Sequence, residues 1–161
     1  MRQLKIYLDT SVINFLFHED VPELRKITEE FFEKHVSRGE YAVHVSDVVL
    51  QEIDETPDQA KRERLLGVIR GFGLRVLPLT DEAIRLASTY MTEGAIPPAK
   101  LEDARHVAIA TCNQMDLLLS WNFKHLANIR RQTAVRAINE REGYFYPLRL
   151  TTPMEVTYEN D

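Results

Sequence analysis

The stretch Leu101–His125, LEDARHVAIATCNQMDLLLSWNFKH, constrains the fold more than any other part of the chain. Ala104, Val107, Ala108, Thr111, Cys112 and Met115 recur at helical spacing and form one small, mostly apolar stripe. Pro97 and Pro98 stand just ahead of it, where proline can open a helix but cannot sit inside one. Asp103 therefore falls in or near the first helical turn. Asp116 follows the helix, and Leu117, Leu118 and Leu119 make a short apolar run suited to a strand covered on both faces. Ser120, Trp121, Asn122, Phe123, Lys124 and His125 then turn the chain polar and basic. A helix, a buried strand and a polar cluster at that strand's carboxyl end is the layout of a ligand-binding edge in an α/β protein.

The rest of the chain repeats the alternation. Leu4, Ile6, Tyr7 and Leu8 read as a strand ended by Asp9, Thr10 and Ser11, with Ser11 or Thr10 capping a short helix over residues 12–17. Residues 22–38 read as one amphipathic helix with Leu24, Ile27, Phe31 and Val36 inward and Gly39 at its end. A second strand over 41–45 leads to Ser46, a helix cap, and a helix to about residue 54. Residues 58–71 form a further helix with Lys61, Arg62 and Arg64 outside, and 74–77 a third strand. Thr80 or Asp81 caps the next helix, which Gly94 follows. After the opening stretch come an arginine-rich helix over 129–142, a closing strand over 147–150 and a polar tail expected to be mobile. The expectation is one α/β domain over residues 1–161, three layers deep, around a mostly parallel sheet.

Composition narrows the setting. A length of 161 residues suits one domain with a real core. The formal charge of −5 does not advertise a nucleic-acid binder, so any such role depends on local positive charge. Cys112 is the one cysteine, which rules out an intrachain disulfide and fits a reducing cytoplasm. Asp9 interrupts any signal-peptide core, and no apolar run approaches the ~18 residues of a membrane span. A soluble cytoplasmic protein is expected.

Three acids stand out, and each has an ordinary structural role as well. Asp9 directly follows a strand, where it is equally suited to a turn or cap. Glu52 lies on the helix after the second strand, in the acidic run Glu52, Asp54 and Glu55 that otherwise reads as a solvated face. Asp103 suits the helix dipole whatever else it does. Topology sets them apart: Asp9 and Asp103 can share one edge of a parallel sheet, and Glu52 can reach it from the side. Carboxylates so gathered repel unless a cation neutralises them, and Mg²⁺ or Mn²⁺, with oxygen ligands, is the natural choice. Such an ion activates water and polarises a phosphodiester.

YLDTSVINFL, SDVVLQEI, KLEDARHVAIA and LLLSWNFKHL, in this order, resemble a PIN-domain protein, the family that includes the VapC-type toxin ribonucleases of toxin–antitoxin pairs. The resemblance spans nearly the whole chain. It implies a metal-dependent endoribonuclease with a PIN-like fold, Mg²⁺ or Mn²⁺ as cofactor, RNA as substrate, a small antitoxin as partner, a homodimeric form and no membrane. Residue by residue, Asp9 matches the family's first acid, Glu52 its helical glutamate and Asp103 the acid at the head of the later helix. Thr10 or Ser11 matches the hydroxyl beside the first acid, and Asn14 the polar position on the short helix. Asn122 stands where many members carry a fourth aspartate, and it brings a carbonyl oxygen without a charge. Asp116 precedes its strand and so belongs to the opposite edge.

Lys124, His125, Arg130 and Arg131, with Arg136, are candidates for holding phosphates beside the site, although each also reads as part of a solvated helix face. His106, one turn beyond Asp103, is a candidate metal ligand, but a lone histidine on a helix more often serves the structure. Trp121 and Phe123 suit base stacking or burial at the strand end. Two other readings stay open. One is a catalytically weak or inactive PIN-like module that binds RNA or a protein, which Asn122 favours. The other is an aspartyl-nucleophile phosphatase or dehalogenase; those phosphatases usually carry a second aspartate where this chain has Ser11.

Overall fold

The computed structural model describes residues 2–157. Five strands, β1 (Leu4–Leu8), β2 (Tyr41–Ser46), β3 (Arg75–Leu77), β4 (Leu117–Leu119) and β5 (Arg149–Thr151), form one sheet in the order β3-β2-β1-β4-β5. Every pairing is parallel. Around the sheet run α1 (Thr10–Asn14), α2 (Pro22–Glu30), α3 (Asp47–Asp54), α4 (Gln59–Gly71), α5 (Asp81–Thr92), α6 (Leu101–Cys112) and α7 (Ile129–Arg141). The architecture is the expected three-layer α/β/α sandwich.

Side chains alternate along each strand and so feed two cores. Tyr7 and Leu118 enter one core with Ala83 and Leu86 of α5, Ala104 and Ala108 of α6 and Val135 of α7. Ile6, Leu8 and Leu119 enter the other with Val12 and Ile13 of α1, Leu65 of α4 and the Phe31–Phe32 pair. Both faces are therefore dry, which is why the leucine run of β4 shows no polar alternation. Each fully buried leucine of this kind contributes roughly 1.5–3 kcal/mol. The alanine-rich stripe of α6 is fully buried and lets that helix lie along α5.

Several local expectations change. Asp9, rather than Ser11 or Thr10, caps α1: its carboxylate accepts from the Val12 amide at 3.4 Å. The helix expected over 22–38 is α-helical only to Glu30 and continues as a π-helix over Phe31–Val36. The wider turn buries Phe31, Phe32, His35 and Val36 together, whereas Leu24 and Ile27 are only partly covered. Gly39 ends the segment at φ 71°, a left-handed conformation that glycine adopts without strain. Met115 lies beyond α6 yet is buried. Thr152 caps a short 3-10 turn at Pro153–Glu155, and the remaining polar tail from residue 158 lies outside the described residues. No helix among the described residues is long and apolar enough to cross a membrane.

The strand order places the site. β1 and β4 are neighbours whose following connections part, one toward β2 and the other toward β5, and so open a crevice at their carboxyl ends. The register aligns that edge: Leu8 pairs with Leu119, and Leu119 with Thr151. The ladder runs one step further, with the Asp9 amide donating to the Leu119 carbonyl at 3.2 Å and the Ser120 amide to Thr151 at 2.9 Å.

Candidate active site

Asp9 is the first residue past β1 and is 4% exposed. Its carboxylate accepts from the Ser11 hydroxyl at 2.5 Å. Ser11 in turn accepts from the Trp121 amide at 2.9 Å and lies 3.5 Å from the Ser120 hydroxyl, which clips the ends of β1 and β4 together. Asp9 thus serves as the cap of α1 at the carboxyl end of β1.

Glu52 is half-buried on α3, whereas Asp54 at the end of that helix and Glu55 just past it are exposed. Its Oε1 accepts from Thr10 Oγ1 at 2.8 Å and from His106 Nε2 at 2.6 Å. Asp103 stands in the first turn of α6, also half-buried. Three elements distant in sequence therefore bring one acid each to the carboxyl edge of the sheet.

The electrostatics record this convergence. Burial pushes the Asp103 carboxyl up to about 6, with the charges of Asp9 and Glu52 adding to the rise against His106 and Lys100. Burial and Glu52 likewise raise Asp9, opposed by His106 and by hydroxyls of Ser11 and Ser120. Glu52 moves the other way. Burial would raise it, but the hydrogen bond and charge of His106, with the Thr10 hydroxyl, hold it below the ordinary glutamate value. His106 is 2% exposed, and burial works against its charge, but the carboxylates of Glu52, Asp9 and Asp103 raise its pKa.

Among the described residues, no group of three His, Cys, Asp or Glu side chains is arranged to hold a metal ion. The acids sense one another, but Glu52 is turned toward His106 and Thr10, and Asp9 toward Ser11. Asn14 is half-buried at the last position of α1. Asn122 serves its own turn, its Oδ1 accepting from the His125 amide at 3.0 Å and its backbone amide donating to Ser120 Oγ at 2.9 Å.

The basic residues divide. Lys124 is exposed and His125 half-buried beside the site; partial burial and the charges of Lys100, Lys124 and Arg131 hold His125 below its ordinary pKa. Arg131 is committed elsewhere: its guanidinium donates to the carbonyls of His125 and Ala95, tying the turn after β4 to the α5–α6 connection. Arg130 and Arg136 are exposed on α7. Trp121 is buried, its Nε1 donating to Thr28 Oγ1 at 2.9 Å, while Phe123 is about half exposed at the rim. Asp116 lies at the far edge of the sheet, as its position before β4 requires.

Sequence reasoning missed Lys100, whose charge acts on Asp103, and Tyr7, whose hydroxyl meets His106 Nδ1 at 2.5 Å. Lys100 directly precedes the helix that carries Asp103, a position that was open to notice. The Tyr7–His106 contact spans 99 positions and leaves no local signal.

No protein-family model and no curated protein matches the chain. Solved structures do match. Mycobacterium tuberculosis VapC20, a sarcin–ricin loop cleaving toxin, aligns with a TM-score of 0.57 at 13% identity, over 74% of this chain and 91% of that one. Rickettsia felis VapBC2, bound to a DNA fragment from its promoter, aligns with a TM-score of 0.56 at 12% identity, over 92% of this chain and 98% of that one. At such identities the likeness concerns the backbone, and it establishes a PIN-like fold of the VapC type.

Proposed function

We propose that this chain is a cytoplasmic endoribonuclease that depends on Mg²⁺ or Mn²⁺ and acts as the toxin of a toxin–antitoxin pair. What supports the reading is that Asp9, Glu52 and Asp103 come from three elements to the carboxyl edge of the sheet, where burial raises Asp103 to about 6 and the charges of Asp9 and Glu52 add to the rise. A set of carboxylate oxygens whose repulsion His106 and Lys100 offset only in part fits a hard divalent cation. Asp9, Asp103 and Glu52 would hold it, and the ion supplies charge neutralisation at the phosphodiester and an activated water. The chain's own residues do the rest. Ser11 holds the Asp9 carboxylate and Thr10 that of Glu52. Asn14 and Asn122 border the site, and Lys124 and Arg130 offer positive charge to RNA phosphates along the turn after β4 and the start of α7, while His125, held below its ordinary pKa, offers a hydrogen bond and Arg131 braces the turn through backbone carbonyls. A small antitoxin covers the site, and the toxin is a homodimer.

The test is cleavage of mixed structured RNAs by purified protein with Mn²⁺ and with EDTA. Products that appear only with Mn²⁺ and disappear in Asp103→Asn support the reading; cleavage that persists in EDTA in wild type and is lost in Asp103→Asn refutes the metal dependence. Asn122, which brings no charge to the turn after β4, favours a second reading: a PIN-like module that retains RNA without cutting it. Retention of RNA on a gel with no product at any Mn²⁺ concentration would select it.

A further inference from the structure

A directed chain of hydrogen bonds runs from the start of α3 back to Glu52 on the same helix. Ser46 caps α3, its Oγ accepting from the amides of Val48 at 3.1 Å and Val49 at 3.4 Å. Two acceptor positions are all a hydroxyl has, so toward Tyr7 the Ser46 hydroxyl must donate; that contact is 2.7 Å. The Tyr7 oxygen then accepts from Ser46, and its own hydrogen points to His106 Nδ1 at 2.5 Å. With Nδ1 accepting, the Nε2 hydrogen is donated to Glu52 Oε1 at 2.6 Å, and a charged ring, which the nearby carboxylates favour, donates the same hydrogen to the same oxygen. Tyr7 and Ser46 are completely buried and His106 nearly so, so no water competes for the bonds among these three. Thr10 donates to the same oxygen, Oε1. Among the described residues, Oε2 of Glu52 receives no hydrogen bond from the protein.

We propose that His106 is a positioning residue: locked by Tyr7 and the Ser46 cap, it fixes Oε1 of Glu52 and leaves Oε2 as the one Glu52 oxygen offered to a divalent cation. The inference rests on the metal-dependent reading of the site. It gives the buried His106 and Tyr7 a role other than core filling, since a tautomer set from behind orients a ligand in front.

The experiment titrates Mn²⁺ alone into wild type, Asp9→Asn, Tyr7→Phe, His106→Leu and His106→Gln by calorimetry. Each variant's folding is checked by its melting midpoint in chelator. Tyr7→Phe keeps ring and volume, so it stays interpretable if His106→Leu fails to fold. Tyr7→Phe and His106→Leu are expected to weaken Mn²⁺ binding roughly 10–100-fold, the usual effect of removing a group that orients a ligand. His106→Gln, whose amide can still donate to Oε1, should recover part of that loss, which a purely structural role would not predict. Folded Tyr7→Phe and His106→Leu that bind Mn²⁺ as wild type does, while Asp9→Asn does not, overturn the inference and leave the nuclease reading intact. Wild type that neither binds Mn²⁺ nor cleaves RNA overturns the nuclease reading itself. Independently of metal, ¹⁵N imidazole spectra, assigned by difference with His106→Gln, should show a proton on His106 Nε2; a bare Nε2 refutes the chain.

Discussion

Asp103 carries the clearest consequence for solution behaviour. Its carboxyl is raised to about 6 in the folded chain, against ~3.9 for an unperturbed aspartate. The folded state therefore binds this proton more tightly than the unfolded state does. The stabilisation is full below the unfolded value and is lost as pH rises through about 6. In chelator, wild type should lose stability relative to Asp103→Asn between pH ~4 and ~6.5; parallel profiles for the two proteins would mean that Asp103 does not feel its neighbours. Asn122 tests the turn after β4. An aspartate there can still accept from the His125 amide, so Asn122→Asp adds charge without breaking the turn. It should lower the Mn²⁺ concentration needed for half-maximal RNA cleavage, and an unchanged requirement would show that position 122 plays no part in metal binding. Asp9 and Asp103 were legible as candidates because one follows a strand and the other heads a helix that periodicity reveals, whereas Glu52, well inside α3, stood out only through topology and the resemblance. The hydrogen bonds that aim them were not, since Tyr7, Ser46 and His106 meet only through tertiary packing.

At the scale of elements, the leucine run of β4 and the caps at Ser46 and Thr80 were readable because burial on both faces and exposed helix amides are local demands. The π-turn at Phe31–Val36 was not readable. One inserted residue rotates the face of the segment, so a regular 3.6 period mislays Phe32 and His35. Asp116 binds several elements at the edge away from the site: its carboxylate accepts from the Lys5 amide at 2.8 Å, the Tyr146 hydroxyl at 2.6 Å and Arg2 at 3.0 Å. Burial would raise this acid, but Tyr146, the Lys5 amide and Arg2 together hold it below the ordinary value. Its stabilisation is present above the unfolded value and lost as pH falls through the lower folded one. Asp116→Asn should cost about 1–2 kcal/mol at neutral pH, less at low pH, and leave RNA cleavage intact. Equal losses at pH 7 and pH 3 in denaturant titrations would contradict the assignment.

For the whole molecule, the acidic crevice predicts a coupling between cation and stability. Asp9→Asn keeps a good cap for α1 and removes one of three like charges, so in chelator it should melt above wild type. An ion at ~100 times its dissociation constant adds about 2.7 kcal/mol to the protein that binds it, several degrees for a domain of about 150 residues. Saturating Mn²⁺ should therefore raise the wild-type midpoint by that much and the variant's far less. A variant that melts lower in chelator and responds to Mn²⁺ as wild type does would leave Asp9 a cap alone.

Cys112, the last residue of α6, is half-covered and lies 3.9 Å from the Tyr144 hydroxyl, and burial pushes its thiol up to about 11. A lone thiol so disfavoured as thiolate reacts slowly while the helix is docked. It is also the chain's only such group, so the alkylation rate becomes a clock for how often this end of the helix lets go. Asp103 stands near the other end of the same 12-residue helix. If the helix opens as one unit, Mn²⁺ added at the acidic end should slow alkylation at the thiol end; if only the last turn frays, the clock will run at the same speed with and without the ion.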